Sequence, residues 1–298
     1  MDSSRILIIG AHGQLGKALQ AQYPAAIAVD RDEFDMTDAV FVQNYDWSKV
    51  DTILNAAAYT NVDAAETADG RNPAWKINAT GPSYLSKIAD EHGLTLVHIS
   101  SDYVFDGTQV PHSESEAFTP LSVYGASKAA GDIAVSTARK HYILRTTWLI
   151  GNGPNFVRTI MGLAAKNISP TVVGDQIGRL TFTPTLVSAI DHLLDNNADF
   201  GTYNVTNDGE PASWADITRQ IFSELGRGDL TVTDTTTEEY YAGKTAAGAV
   251  IAPRPLQSTM DLSKLQATGL QLADWKRELA TYVQAELTAQ AAATDKEN

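Results

Sequence analysis

Cysteine is absent from the 298 residues, which removes disulfides, thiolate metal sites and cysteine nucleophiles together. Basic side chains are scarce, 22 Lys and Arg against 36 Asp and Glu, and the formal charge is −14. Such a surface repels polyanions, so nucleic acid is excluded as a partner, and a small anionic ligand must be met by local cations. No apolar run reaches membrane-spanning length, and Met1 to Gly10 lacks the charged, apolar and small-residue segments of a signal peptide. A cytoplasmic chain without membrane contact is expected. What is present, 43% hydrophobic and 19% charged residues, fits a globular chain and neither disorder nor collagen.

Short apolar runs alternate with helical patterns from the start: Ile6 to Ile9, Leu15 to Gln22, Ile27 to Val29. Further strands are expected at Thr52 to Leu54, Leu94 to Ile99 and Tyr142 to Leu144, each after a helical stretch. This order predicts an α/β fold of the Rossmann type, a doubly wound parallel sheet. One helix is expected over Asn72 to His92, burying Trp75, Ala79, Leu85 and Ile88 and stopped by Gly93, and a second over Tyr124 to Lys140. From residue 151 prolines are scattered and the pattern loosens. The expected division is a dinucleotide-binding domain over 1–150, completed by segments around 180–205, and a smaller α/β substrate-binding portion over 151–298 interleaved with it. Thr231 to Thr237 and Ala242 to Ala252 read as surface loop, and Ala291 to Asn298 as a fraying tail.

Gly10, Gly13 and Gly16 recur at three-residue intervals between the first strand and the first helix. Glycines there let backbone N–H groups and a helix N-terminus approach a pyrophosphate, although strand-to-helix turns are often glycine-rich without a ligand. Asp30, ending the second strand 20 residues beyond Gly10, is placed to bond an adenosine ribose hydroxyl. Arg31 beside it suits a 2′-phosphate, so NADH and NADPH both remain open. His12 has no partner histidine at metal spacing and reads as a solvated turn residue; no metal site is indicated.

Tyr124 and Lys128, in Tyr-Gly-Ala-Ser-Lys, share a helix face. An ammonium there would lower the tyrosine pKa and suit Tyr124 to proton transfer. The strand Ile99-Ser100-Ser101-Asp102 ends in two hydroxyls, where open α/β sheets bind ligands; either serine could polarise a carbonyl or merely cap the strand. Asn55-Ala56-Ala57-Ala58 ends another strand in small residues, which suit close approach of a cofactor or tight helix packing.

Together with the words between them, these residues resemble the extended short-chain dehydrogenase/reductase superfamily, and within it the dTDP-4-dehydrorhamnose reductases. The words are Gly10 to Gly16, Asn55 to Glu66, Ile99 to Gly107, Val123 to Lys128, Leu144 to Gly151, Gly174 to Gly178, and Arg254-Pro255 to Ser258. The resemblance implies that Tyr124 is the general acid, that Lys128 holds the nicotinamide ribose, and that Ser101 stands where relatives have threonine or serine. It implies a cofactor site at Gly13, Gln14, Leu15, Asp30, Ala58, Tyr59 and Thr60, sugar-nucleotide contacts at Asp102 and Trp148, and an active-site asparagine at Asn78. The implied reaction is NADPH- or NADH-dependent reduction of the C4 ketone of dTDP-4-dehydro-β-L-rhamnose, with the preceding 3,5-epimerase as a partner.

The dTDP diphosphate would have to overcome the negative field, and Arg254 is expected to meet it. Leu180 stands where relatives have proline. Ala18 stands where some members place a magnesium-binding glutamate, so a monomer or a metal-independent dimer is expected. Two rivals remain: an epimerase or dehydratase of another nucleotide sugar, and a cofactor-binding regulatory subunit.

Overall fold

The computed structural model describes residues 2–297. Six parallel strands form the central sheet: β1 (Ile6–Ile9), β2 (Ile27–Val29), β3 (Thr52–Asn55), β4 (Thr95–Ser101), β5 (His141–Thr146) and β6 (Gly201–Asn204), in the order β6-β5-β4-β3-β1-β2. Ile8 pairs with Ala28 on one side and Leu54 on the other, so the chain reverses its direction of travel across the sheet at β1 and β3. A crevice opens at such a point, above the carboxyl ends of the strands.

Side chains alternate across the pleat, and both faces are buried, which is why β1 reads as four consecutive apolar residues. Ile6, Ile8, Leu54, Val97 and Leu144 face α1 (Gln14–Gln22) and the helix Thr183–Asp195. Leu7, Ile9, Ile53, Leu96 and Ile143 face α2 (Gly81–His92) and Val135 of α3 (Val123–Val135). Each fully buried aliphatic contributes roughly 1.5–3 kcal/mol against exposure. A third cluster joins the helices Phe156–Ala165, Trp214–Glu224 and Trp275–Glu297 beside the sheet.

Several local expectations change. The helix expected over 72–92 is three pieces, Ala68–Trp75, a π turn at Lys76–Thr80 and α2. The wider turn closes with the Gly81 N–H on the Lys76 carbonyl five residues back, and Pro82, which has no N–H to give, follows in the first turn of α2. Trp75 is 41% exposed, not core. Helix α3 stops at Val135 instead of Lys140, because Ser136 and Thr137 turn their hydroxyls onto the carbonyls of Ile133 and Ala134. The first expected loop holds a strand, Thr233–Thr235, paired with Thr171–Val173, and a helix, Thr237–Ala246, runs from its end into the second. The signal for that helix is a capping box, Thr236 with Glu239. Residues 291–297 continue the last helix, and Asn298 lies outside the described residues. Among the described residues no helix is long and apolar enough to cross a membrane.

Candidate active site

The turn after β1 is built from close backbone approach. Gly10 has φ +86°, and a Cβ on it would sit 2.7 Å from the Ala57 nitrogen; a Cβ on Gly16 would sit 2.1 Å from the Gly10 carbonyl oxygen. Only glycine fits either place. Gly13 caps α1 without a side-chain hydrogen bond, which leaves the first amides of the helix open. They face a cavity of about 890 Å³ at the β1/β3 crevice. Gly10, Gly13, Gln14, Leu15, Asp30, Arg31, Ala58 and Thr60 line it at one end, and Ser101, Asp102, Tyr124, Lys128 and Trp148 at the other. Gly16 and Tyr59 support it from behind: the Asn78 side chain accepts from the Tyr59 N–H at 2.9 Å and donates to its carbonyl at 3.1 Å. Gln14 also accepts from the Gly151 N–H at 2.8 Å, joining α1 to the loop after β5.

Asp30 accepts from the backbone N–H groups of His12 and Arg31, both at 2.8 Å. Partial burial works to raise its pKa, but these bonds outweigh it and the net direction is downward, so the group is a carboxylate facing the cavity. His12 keeps an exposed ring beside it. A cradle of glycines, open helix amides and one carboxylate fits a dinucleotide.

At the other end Ser122 caps α3 and places Tyr124 and Lys128 in its first turns. Tyr124 is buried beneath Tyr103, edge to face at 5.3 Å. Burial pushes its pKa up to about 12, against a hydrogen bond with Ser101 that favours the phenolate. The lowering expected from the ammonium is therefore not what the protein alone produces. Lys128 donates instead to the Ile99 carbonyl at 2.6 Å, and burial brings its pKa down to about 8 against the pull of Asp132. Of the two serines, Ser101 addresses Tyr124, whereas Ser100 lies beside Asp132. Ser101 donates to Asp102 at 2.9 Å; Asp102, fully buried, also accepts from Ser258 at 2.5 Å, and burial raises its pKa against both bonds.

Sequence reasoning missed the buried ion pair behind this end. Asp132 accepts from Arg145 Nε at 2.9 Å, and the guanidinium lies over the rings of Phe105 and Phe118. Asp132 follows Lys128 by four residues, a spacing that could have flagged it. His98, also missed, accepts from Asn55 at 3.1 Å when Asn55 Nδ2 donates, and burial drives its pKa well down, which keeps it neutral beside Lys128.

Arg254 is not gathered into the cavity. It pairs with Asp63 at 2.8 Å, donates to the Ala252 carbonyl and lies over the Tyr241 ring, so its charge is already met. Leu180 is fully buried in the third cluster, and Ala18 packs against the first.

The chain matches the family model for the RmlD substrate binding domain over residues 4–288. It is 36% identical to a dTDP-4-dehydrorhamnose reductase of Aggregatibacter actinomycetemcomitans, over 93% of this chain and 97% of that one. Its fold is similar to that of a dTDP-4-dehydrorhamnose reductase of Clostridium acetobutylicum, with TM-score 0.85, 35% identity, and coverage of 95% and 99% of the two chains. The dTDP-4-dehydrorhamnose reductase of Bacillus anthracis, solved in complex with NADP, gives TM-score 0.84, 35% identity and the same coverage.

Proposed function

The chain belongs to the RmlD substrate binding domain family, and on that premise we propose that it reduces the C4 ketone of dTDP-4-dehydro-β-L-rhamnose to dTDP-β-L-rhamnose with NADPH or NADH. One observation carries the reading: a buried phenol and a serine hydroxyl, Tyr124 and Ser101, meet at the carboxyl end of β4 in the same cavity as a dinucleotide cradle.

A bound reduced nicotinamide supplies the hydride. The protein must then neutralise the charge growing on the carbonyl oxygen. Tyr124 carries its proton at neutral pH, since burial raises its pKa, and it passes that proton to the stronger base that the reduced carbonyl oxygen becomes. Ser101 has one hydroxyl proton, now given to Asp102, and turning it to the substrate adds a second donor. Lys128 retains its proton at neutral pH, holds a ribose hydroxyl and offsets the phenolate left behind. Asn78 fixes the backbone at Tyr59, and Asp102 and Trp148 face the sugar. The second portion, 151–298, supplies the rest of the sugar-nucleotide site, and Arg254 reaches the diphosphate by exchanging Asp63 for it. We place the reaction in the cytoplasm, downstream of a 3,5-epimerase, in a monomer or a dimer that needs no metal.

The test is nicotinamide absorbance on mixing the protein with NADPH or NADH and enzymatically prepared dTDP-4-dehydro-β-L-rhamnose, with the product weighed. Stoichiometric oxidation with a gain of two hydrogens is the expected result. Cofactor binding without oxidation would transfer the site to another nucleotide sugar or to a regulatory role.

A further inference from the structure

Trp148 has φ +48°, a left-handed backbone that a bulky side chain rarely adopts. Such a conformation persists only where the surroundings over-determine it. On one side a Cβ at Gly178 would come within 3.1 Å of the indole, tighter than ordinary contact, so the glycine packs the backbone closely against the ring. On the other lies the ring of Trp214, stacked at 3.8 Å between centroids and 25° between planes. Trp214 does not line the cavity, whereas Trp148 does.

Trp214 is itself fixed from three directions. It opens the helix Trp214–Glu224, whose start is locked by a capping box of Ser213 and Asp216. Its Nε1–H donates to Gln176 at 3.2 Å, and Gln176 donates to Thr237 at 3.0 Å. Phe156 lies against its ring at 4.4 Å. We propose that Trp214 is a positioning residue for the sugar-nucleotide site, holding the Trp148 indole at the cavity wall by stacking on it. The proposal rests on the reading that Trp148 meets the sugar. The buried Trp47 and Trp275 also bond their indole N–H groups, to the carbonyls of Val42 and Glu210; what sets the Trp148–Trp214 pair apart is that one ring, on a left-handed backbone, lines the cavity while the other stacks behind it.

The test compares wild type with Trp214→Leu, Trp214→Phe and Trp148→Leu. The readouts are steady-state kinetics, calorimetric affinity for dTDP-β-L-rhamnose with NADP⁺ present, and the exciton-coupled indole band in far-ultraviolet circular dichroism. Trp214→Leu should abolish the band and raise KM and the sugar-nucleotide Kd about three- to tenfold, the range of one aromatic pair, with kcat and cofactor affinity within about twofold. Trp214→Phe should also lose the band yet recover most of the affinity, because a ring still stacks on Trp148; it keeps the test available if the leucine variant folds poorly. Wild-type KM and Kd in Trp214→Leu, with the band gone, would overturn the proposal while sparing the sugar contact. Wild-type values in Trp148→Leu, or no binding of the sugar nucleotide by wild type, would overturn that reading and the proposal with it.

Discussion

Replacing Lys128 by methionine should abolish turnover and yet stabilise the protein at neutral pH. The lysine is 1% exposed, and its pKa falls from 10.5 to about 8 as burial penalises the ammonium more than Asp132 favours it. A depression of that size is worth about 3 kcal/mol at ~1.4 kcal/mol per pH unit. Below the folded pKa both folded and unfolded chains carry the proton, and the whole penalty weighs on the folded state. Between about 8 and 10.5 the unfolded chain binds more protons than the folded one, so stability rises with pH and the penalty is relieved. Methionine keeps the apolar stem without the charge, but it gives up the charge-assisted hydrogen bond to the Ile99 carbonyl, about 2 kcal/mol. The net gain is about 1–2 kcal/mol, roughly 2–4 °C in Tm for a chain of this size. Urea unfolding of both proteins across pH measures it directly. The gap should be full at pH 7 and shrink as pH rises through about 8 toward 10.5, an interval in which other groups cancel in the comparison. A methionine variant less stable than wild type at pH 7, or a gap that ignores pH, would refute the reasoning.

Tyr124→Phe should lower kcat by about 10²–10⁴ while NADPH affinity holds, and retained turnover would remove the tyrosine as the acid. In wild type, kcat/KM should fall as pH rises through about 8, where the free enzyme's Lys128 gives up its proton; a profile flat to about pH 10 would sever the lysine from the chemistry. Asp30→Ala should shift the preference from NADH toward NADPH, since it removes a carboxylate from the cradle and leaves Arg31, and the ratio of the two kcat/KM values reads the shift. Gly131→Ala would set a Cβ 2.1 Å from the Asn78 carbonyl oxygen, so a loss of about 1–3 kcal/mol in urea unfolding is expected, and wild-type stability would show that α3 can move away from the π turn.

What was legible in the chain is what local geometry or a continuous pattern dictates. Four apolar residues in β1 announce a strand buried on both faces, and Gly10 and Gly16 stand where backbone meets backbone, so the sheet and the cofactor turn follow from neighbours in sequence. Helix Thr237–Ala246 was equally available, since its Thr236 and Glu239 box is local, and it was passed over because it buries no side chain to leave an apolar stripe. The remainder depends on partners far apart in the chain. Arg254 looked like a free cation because its counter-ion, Asp63, is 191 residues away. The direction of the Tyr124 shift could not be read from the four-residue spacing to Lys128, because burial, set by Tyr103 and the strand ends, outweighs the hydrogen bond that favours the phenolate. Asp132 is a mid-helix acid by local rules, and becomes half of a buried ion pair only when β5 brings Arg145 to it. The same holds for Trp148 and Trp214: each alone is a half-buried aromatic, and their stacking exists only because the loop after β5 returns against the helix that Trp214 opens. Residue types and spacing therefore name the chemistry, while the folded arrangement decides which charges are free and which protons are held.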